Sequence, residues 1–139
     1  ERGEIVLSDR FTDSSLAYQG EARQIGFDTV LALHRLALGK LMPDITICVE
    51  LPVEESLSRA HGRNKKAAST VATQSETRID EHSLEFHRLV SQGYRRISAL
   101  DRERFHVVDG RGAIEEIAGR VWAEVFPLLQ RKQLDHIPS

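Results

Sequence analysis

The sequence predicts an α/β fold with a mainly parallel sheet, on three observations. Aliphatic or β-branched runs recur at Ile5–Leu7, Ile45–Val49 and Phe105–Val108. Each run is continuous rather than alternating, the pattern of strands covered on both faces. Helix-like segments separate them, and parallel neighbours need such crossovers.

Taken in order, the first run leads into polar residues from Ser8 onward. Asp28 is placed to cap a helix running from Thr29 to Leu38, which Gly39 would end before Pro43 stops any continuation. After the second run, Pro52 suits a helix start leading through Glu54 and Glu55 to Leu57 and Ala60. A longer helix is expected from about Ile79 to Leu100, because Ile79, Phe86, Val90, Tyr94 and Ile97 fall near one face. Past the third run, Ile114, Ile117, Ala118, Val121, Val125 and Leu128 repeat that stripe. Residues 62–77 are small, polar and aperiodic, and read as a loop; the tail 131–139 reads as frayed.

The 139 residues suit one domain with a real core. With 40% apolar and 29% charged residues, the composition is that of an ordinary soluble protein, and no stretch approaches the ~18–20 apolar residues of a membrane span. A cytoplasmic protein without membrane or nucleic-acid partners is the expectation. The formal charge of −2 gives no global attraction to phosphate, so such affinity must come from local arginines. The single cysteine, Cys48, falls in an apolar run and reads as a buried small side chain; one cysteine allows no internal disulfide and no cysteine-based zinc site. The six histidines show no metal-ligand spacing and read as structural or solvent-facing, so no protein metal site is expected. The chain opens without a secretory leader or an initiator methionine and enters a strand-like run almost at once, as a chain joined midway would.

The most informative stretch runs from Leu7 to Gly20. It places Asp9 and Arg10 at the C-terminal end of a strand-like run, the edge where open α/β sheets bind ligands. Asp9-Arg10-Phe11, then Ser14 and Ser15, then Ala17-Tyr18-Gln19-Gly20 resemble the signature of thymidylate kinases. Further matches follow in order: Arg23 and Gly26, Pro43-Asp44-Ile45-Thr46, Leu57-Ser58-Arg59-Ala60, and Arg78-Ile79-Asp80. The resemblance covers nearly the whole chain. It implies a nucleoside-monophosphate-kinase-like three-layer α/β/α fold of the P-loop class, present here as its C-terminal part. It also implies an ATP- and magnesium-dependent kinase that converts thymidine monophosphate (dTMP) to the diphosphate, acting as a homodimer.

Carried over by position, the resemblance implies that Arg10 holds the acceptor phosphate, for which a planar guanidinium is suited; the alternative is a surface ion pair. Asp9 would orient Arg10 or a magnesium-bound water, or cap a helix. Ser14 joins the acceptor site. Ser15 and Gln19 would bond the thymine edge, with a helix-start role open for Ser15, and Tyr18 would wall off the deoxyribose position that carries a hydroxyl in ribonucleotides. Residues 62–78 would form a lid. Arg59 would lie near the adenine or donor phosphates, and Arg63 or Arg78 at the transfer centre. Lys65 and Lys66 read as a solvated patch. Arg111, in the turn Asp109-Gly110-Arg111-Gly112, would face the donor base; a plain strand-to-helix turn is the alternative, and its glycines do not make a dinucleotide fingerprint.

These residues contain no Walker loop: at the one Gly-Lys pair, Gly39-Lys40, position 34 is His and position 41 is Leu. The expectation is a chain that supplies acceptor site and lid, that depends on a preceding donor-binding half for its sheet and its chemistry, and that is inactive alone. The alternatives are a related deoxynucleoside or nucleotide kinase, which would keep Asp9-Arg10 but not Tyr18-Gln19, and a nucleotide-binding or structural chain without turnover.

Overall fold

The computed structural model describes residues 4–56, 58–59 and 84–134. They form two compact units, residues 4–42 with 84–97 and residues 43–56 and 58–59 with 98–134.

The first unit holds a short helix α1 (Thr12–Ser15), continued directly by a π-helix (Leu16–Ala22), and helix α2 (Phe27–Leu38). Most of helix α3 (Leu84–Leu100) packs here. Leu16, Ala17, Ala22, Phe27, Val30, Val90 and Ile97 are buried and make its core. Asp28 does not cap α2 as expected: Gly26 is the N-cap residue, with no side-chain bond, and Asp28 sits two positions further in. There its carboxylate still faces the positive end of the helix dipole. Gly39 ends α2 at φ 64°, in the left-handed region where glycine meets no Cβ penalty. On α3, Val90 and Ile97 are buried as their spacing predicts. The anticipated start of that helix, residues 79–83, lies outside the described residues.

The second unit is built on a parallel pair, β1 (Thr46–Glu50) and β2 (Phe105–Asp109), in register Thr46↔Phe105 through Glu50↔Asp109. Thr46 N–H to Arg104 O (2.8 Å) and Gly110 N–H to Glu50 O (2.8 Å) extend the ladder at both ends. Arg104 anchors the entry to β2, donating to Asp101 (2.7 Å) and to the Thr46 hydroxyl (2.9 Å). Residues 53–56 and 58–59 are helical, beginning just after Pro52, whose carbonyl accepts from Ser56. Helix α4 (Ile114–Leu134) follows β2. Its Ile117, Val121, Val125 and Leu128 are half-buried, whereas Ile114 and Ala118 of the predicted stripe are exposed. Residues 131–134 belong to α4 rather than to a frayed tail, and Lys132 pairs with Asp44 at 2.9 Å.

Two sequence expectations for the sheet fail among the described residues. Ile5, Val6 and Leu7 form no strand and are 71%, 84% and 92% exposed. An apolar run supplies only the tendency; a strand exists through a neighbour's hydrogen bonds, and the described sheet has two strands, neither paired with this run. Nor are β1 and β2 covered on both faces, since Val49 and Val107 stay exposed and Cys48 is only half-buried. No helix of the described residues is long and apolar enough to cross a membrane.

Candidate acceptor cleft and basic turn

In the first unit, Arg10, Phe11, Ser14, Ser15, Tyr18, Gln19 and His34 line one open cleft of about 370 Å³. The chain enters it through a sharp turn at Arg10, whose φ is 69°. A side chain there costs about 1–2 kcal/mol relative to right-handed backbone. The Ser8 hydroxyl donates to the Arg10 carbonyl across the turn at 3.0 Å. The turn carries the Arg10 guanidinium over the Tyr18 ring, 4.8 Å from its centroid, with an N–H 3.4 Å from the Tyr18 hydroxyl.

Tyr18 is held by its own neighbours. Its ring meets Phe86 and Tyr94 edge-on, with centroids 6.0 and 6.4 Å away. Tyr94 also shares a hydrogen bond with the Ser14 hydroxyl at 2.9 Å. Tyr18 and Gln19 lie in the π-helix, and the chain after it caps its carbonyls: Arg23 N–H bonds Tyr18 O, Ile25 bonds Gln19 O and Gly26 bonds Gly20 O, at 3.0 to 3.1 Å. The helix floor presses on α3 at Gly93, where a Cβ would lie 2.8 Å from Ala17 Cα. Only glycine lets the two backbones approach this closely. Glu21 pairs with Arg96 at 3.1 Å, and Arg96 stacks on Phe27 at 4.3 Å, tying the same elements on the outside.

Five residues that the sequence assigns to the acceptor site, Arg10, Ser14, Ser15, Tyr18 and Gln19, thus share one cleft. Asp9 is exposed and is not among the lining residues. Phe11, not Asp9, is the N-cap residue of α1, whereas Ser15 does hold the helix-start position of the π-helix; neither helix has a side-chain cap bond. Sequence reasoning missed His34, whose Nδ1 lies 3.2 Å from the hydroxyl of buried Thr12. The signal was available, because His34 lies seven residues after Phe27 and four after Val30, on the buried face of α2.

The second unit brings the basic residues of the other predicted site together. Asp109 accepts from the Arg111 backbone N–H (3.0 Å) and from its guanidinium (2.8 to 3.1 Å). These bonds hold the Asp109 carboxyl down, from its ordinary 3.8 to about 2, and push Arg111 up. Arg59 donates to the Gly110 carbonyl at 3.3 Å while pairing with Glu55 at 2.7 Å. Arg120 donates to the carbonyls of Asp109 (2.8 Å) and Arg111 (2.6 Å). Glu116 accepts from Ala113 N–H at 2.9 Å, one half of a capping box that fixes the start of α4. Arg59 and Arg111, assigned from sequence to the donor nucleotide, therefore flank the same glycine. Arg63, Arg78 and the lid 62–78 lie outside the described residues. Among the described residues, no three His, Cys, Asp or Glu side chains gather as a metal cage.

The thymidylate kinase family profile matches residues 1–121. The chain is 42% identical to a thymidylate kinase of Thermomicrobium roseum over 131 residues, covering 94% of this chain and 58% of that protein. Against those of Desulfovibrio desulfuricans and Bacillus pumilus, identity is 39% and 38%, covering 95% and 96% of this chain and 59% of each relative. The chain thus spans under two thirds of the length of the curated relatives it matches. With a profile match over most of its residues and relatives near 40% identity along almost its entire length, this chain belongs to the thymidylate kinase family, with the P-loop kinase fold.

Proposed function

We propose that the whole protein transfers a phosphoryl group from ATP to dTMP, and that this chain supplies the acceptor site and the lid. The observation that carries the reading is the cleft that gathers Arg10, Ser14, Ser15, Tyr18 and Gln19.

Arg10 grips the acceptor phosphate and neutralises charge as the phosphoryl group arrives, the main demand of this chemistry. Tyr18 walls off the deoxyribose, and Ser15 and Gln19 read the thymine edge. Ser14, engaged with Tyr94, holds that wall in place. Arg59 serves the adenine or the donor phosphates and Arg111 the donor base, and their meeting at Gly110 supports placing both on the donor side. Arg63 and Arg78 on the lid are assigned to the transfer centre on the family resemblance. Magnesium, when bound with the donor, supplies further charge neutralisation. The exposed carboxylate of Asp9 suits holding one of the ion's waters, since magnesium keeps several waters and takes few protein ligands. The homodimeric state and the cytoplasmic location rest on the family resemblance.

The test is direct. The whole protein, given dTMP, ATP and magnesium, should yield thymidine diphosphate, followed by chromatography, and should strongly prefer dTMP to its ribose counterpart. Absence of the diphosphate, or equal use of both acceptors, overturns the reading.

A further inference from the structure

The turn Asp109–Gly112 is held in an uncommon way: three successive carbonyls, those of Asp109, Gly110 and Arg111, each receive a guanidinium N–H. Two of the three come from a single nitrogen of Arg120, and these are the shorter bonds, 2.8 and 2.6 Å against 3.3 Å from Arg59. On its other side the turn has no slack, because a Cβ at Gly110 would lie 2.9 Å from Val49 Cγ1 and 3.0 Å from Glu50 O. Arg120 sits on α4, whose first turn is itself fixed by the Glu116 bond to Ala113 N–H. The turn is thus clamped between β1 and a rigid helix, with Arg120 as the link to the helix. The direction in which the Arg111 side chain leaves the turn follows from that clamp.

We propose that Arg120 is a positioning residue: by fixing the turn that carries Arg111, it sets the affinity and base preference for the phosphoryl donor without touching the donor. The proposal rests on the donor-side reading of Arg59 and Arg111 above. A glutamine amide also carries two N–H on one nitrogen, but it is uncharged and two bonds shorter than the Arg120 guanidinium, and a lysine keeps the charge but not the planar geometry.

In the whole protein, Arg120→Gln should raise KM for ATP about tenfold and lower the preference for ATP over GTP at least about threefold. Its kcat and its KM for dTMP should stay within about twofold of wild type. Arg120→Lys should share the donor defect in weaker form, and decides the matter if Arg120→Gln does not fold. An unchanged KM for ATP in a folded variant, or equal rises in KM for ATP and dTMP, would overturn the positioning role. A wild-type protein that transfers no phosphoryl group to dTMP overturns the functional reading and this inference together. An active wild type with unaltered variants overturns this inference alone.

Discussion

The Arg10 guanidinium lies over the Tyr18 ring, 4.8 Å from its centroid, so the cation assigned to the acceptor phosphate and the ring assigned to the sugar wall are one packed pair. Such stacking contributes about 0.5–1 kcal/mol at an exposed site and leaves the guanidinium edge free to donate. Tyr18→Phe keeps the stack and loses only a long hydrogen bond of 3.4 Å, so kcat/KM for dTMP should fall by no more than about fivefold. Tyr18→Ala removes both stack and wall. Steady-state kinetics with dTMP and its ribose counterpart should show discrimination eroded in Tyr18→Ala and kept in Tyr18→Phe.

Arg10 also permits a separation of chemistry from backbone strain. Arg10→Ala should lower phosphoryl transfer by at least about a hundredfold while the protein stays folded, because the exposed side chain gives up only its stack on Tyr18, about 0.5–1 kcal/mol of stability. Arg10→Gly should be equally inactive but more stable than Arg10→Ala by about 1 kcal/mol, since φ 69° suits glycine. Denaturant unfolding of the two variants checks the difference. Equal stabilities would show that the left-handed turn is relaxed once the side chain is gone.

Two helix glycines should respond with opposite sign. Gly93→Ala drives a Cβ to 2.8 Å from the Ala17 backbone and should destabilise by about 1–3 kcal/mol. Because Ala17 precedes Tyr18, KM for dTMP should rise as well. Around Gly119 on α4 nothing lies within 4 Å, and Gly119→Ala should stabilise by about 0.4–1 kcal/mol. Thermal unfolding of the two variants reads both.

Asp109 should titrate with a midpoint of about 2 in the folded protein, read by carboxyl NMR. Arg111→Ala should return it toward 3.8. Its folded value is depressed, so the stability it contributes is complete above its ordinary value and is lost as pH falls from there to about 2. No dependence near neutral pH should arise from this pair.

Much of this was legible in the sequence because it is local. The C-terminal end of α2 follows from Gly39, the inward positions of α3 from their spacing, and the β1 and β2 segments from their aliphatic runs. The motif from Arg10 to Gln19 is read easily because it folds on itself within one helix and the turn before it. What escaped depends on partners distant in sequence. Ile5–Leu7 has the composition of a strand, but pairing, which composition does not encode, decides whether one forms. His34 reaches the cleft by helix phase, and Arg120 reaches the basic turn across the first two turns of α4, where one arginine among several exposed charges carries no mark of its partner.

The π-helix gives the acceptor motif a property that its letters conceal. An α-helix advances about 100° per residue, and the wider π turn holds one residue more. The bearing of Tyr18 and Gln19 is therefore tied to that surplus residue between Leu16 and Ala22. A relative carrying the same Ala-Tyr-Gln-Gly letters on a regular helix would aim the far end of the motif roughly 65° away, so identical spelling does not by itself guarantee an identical site.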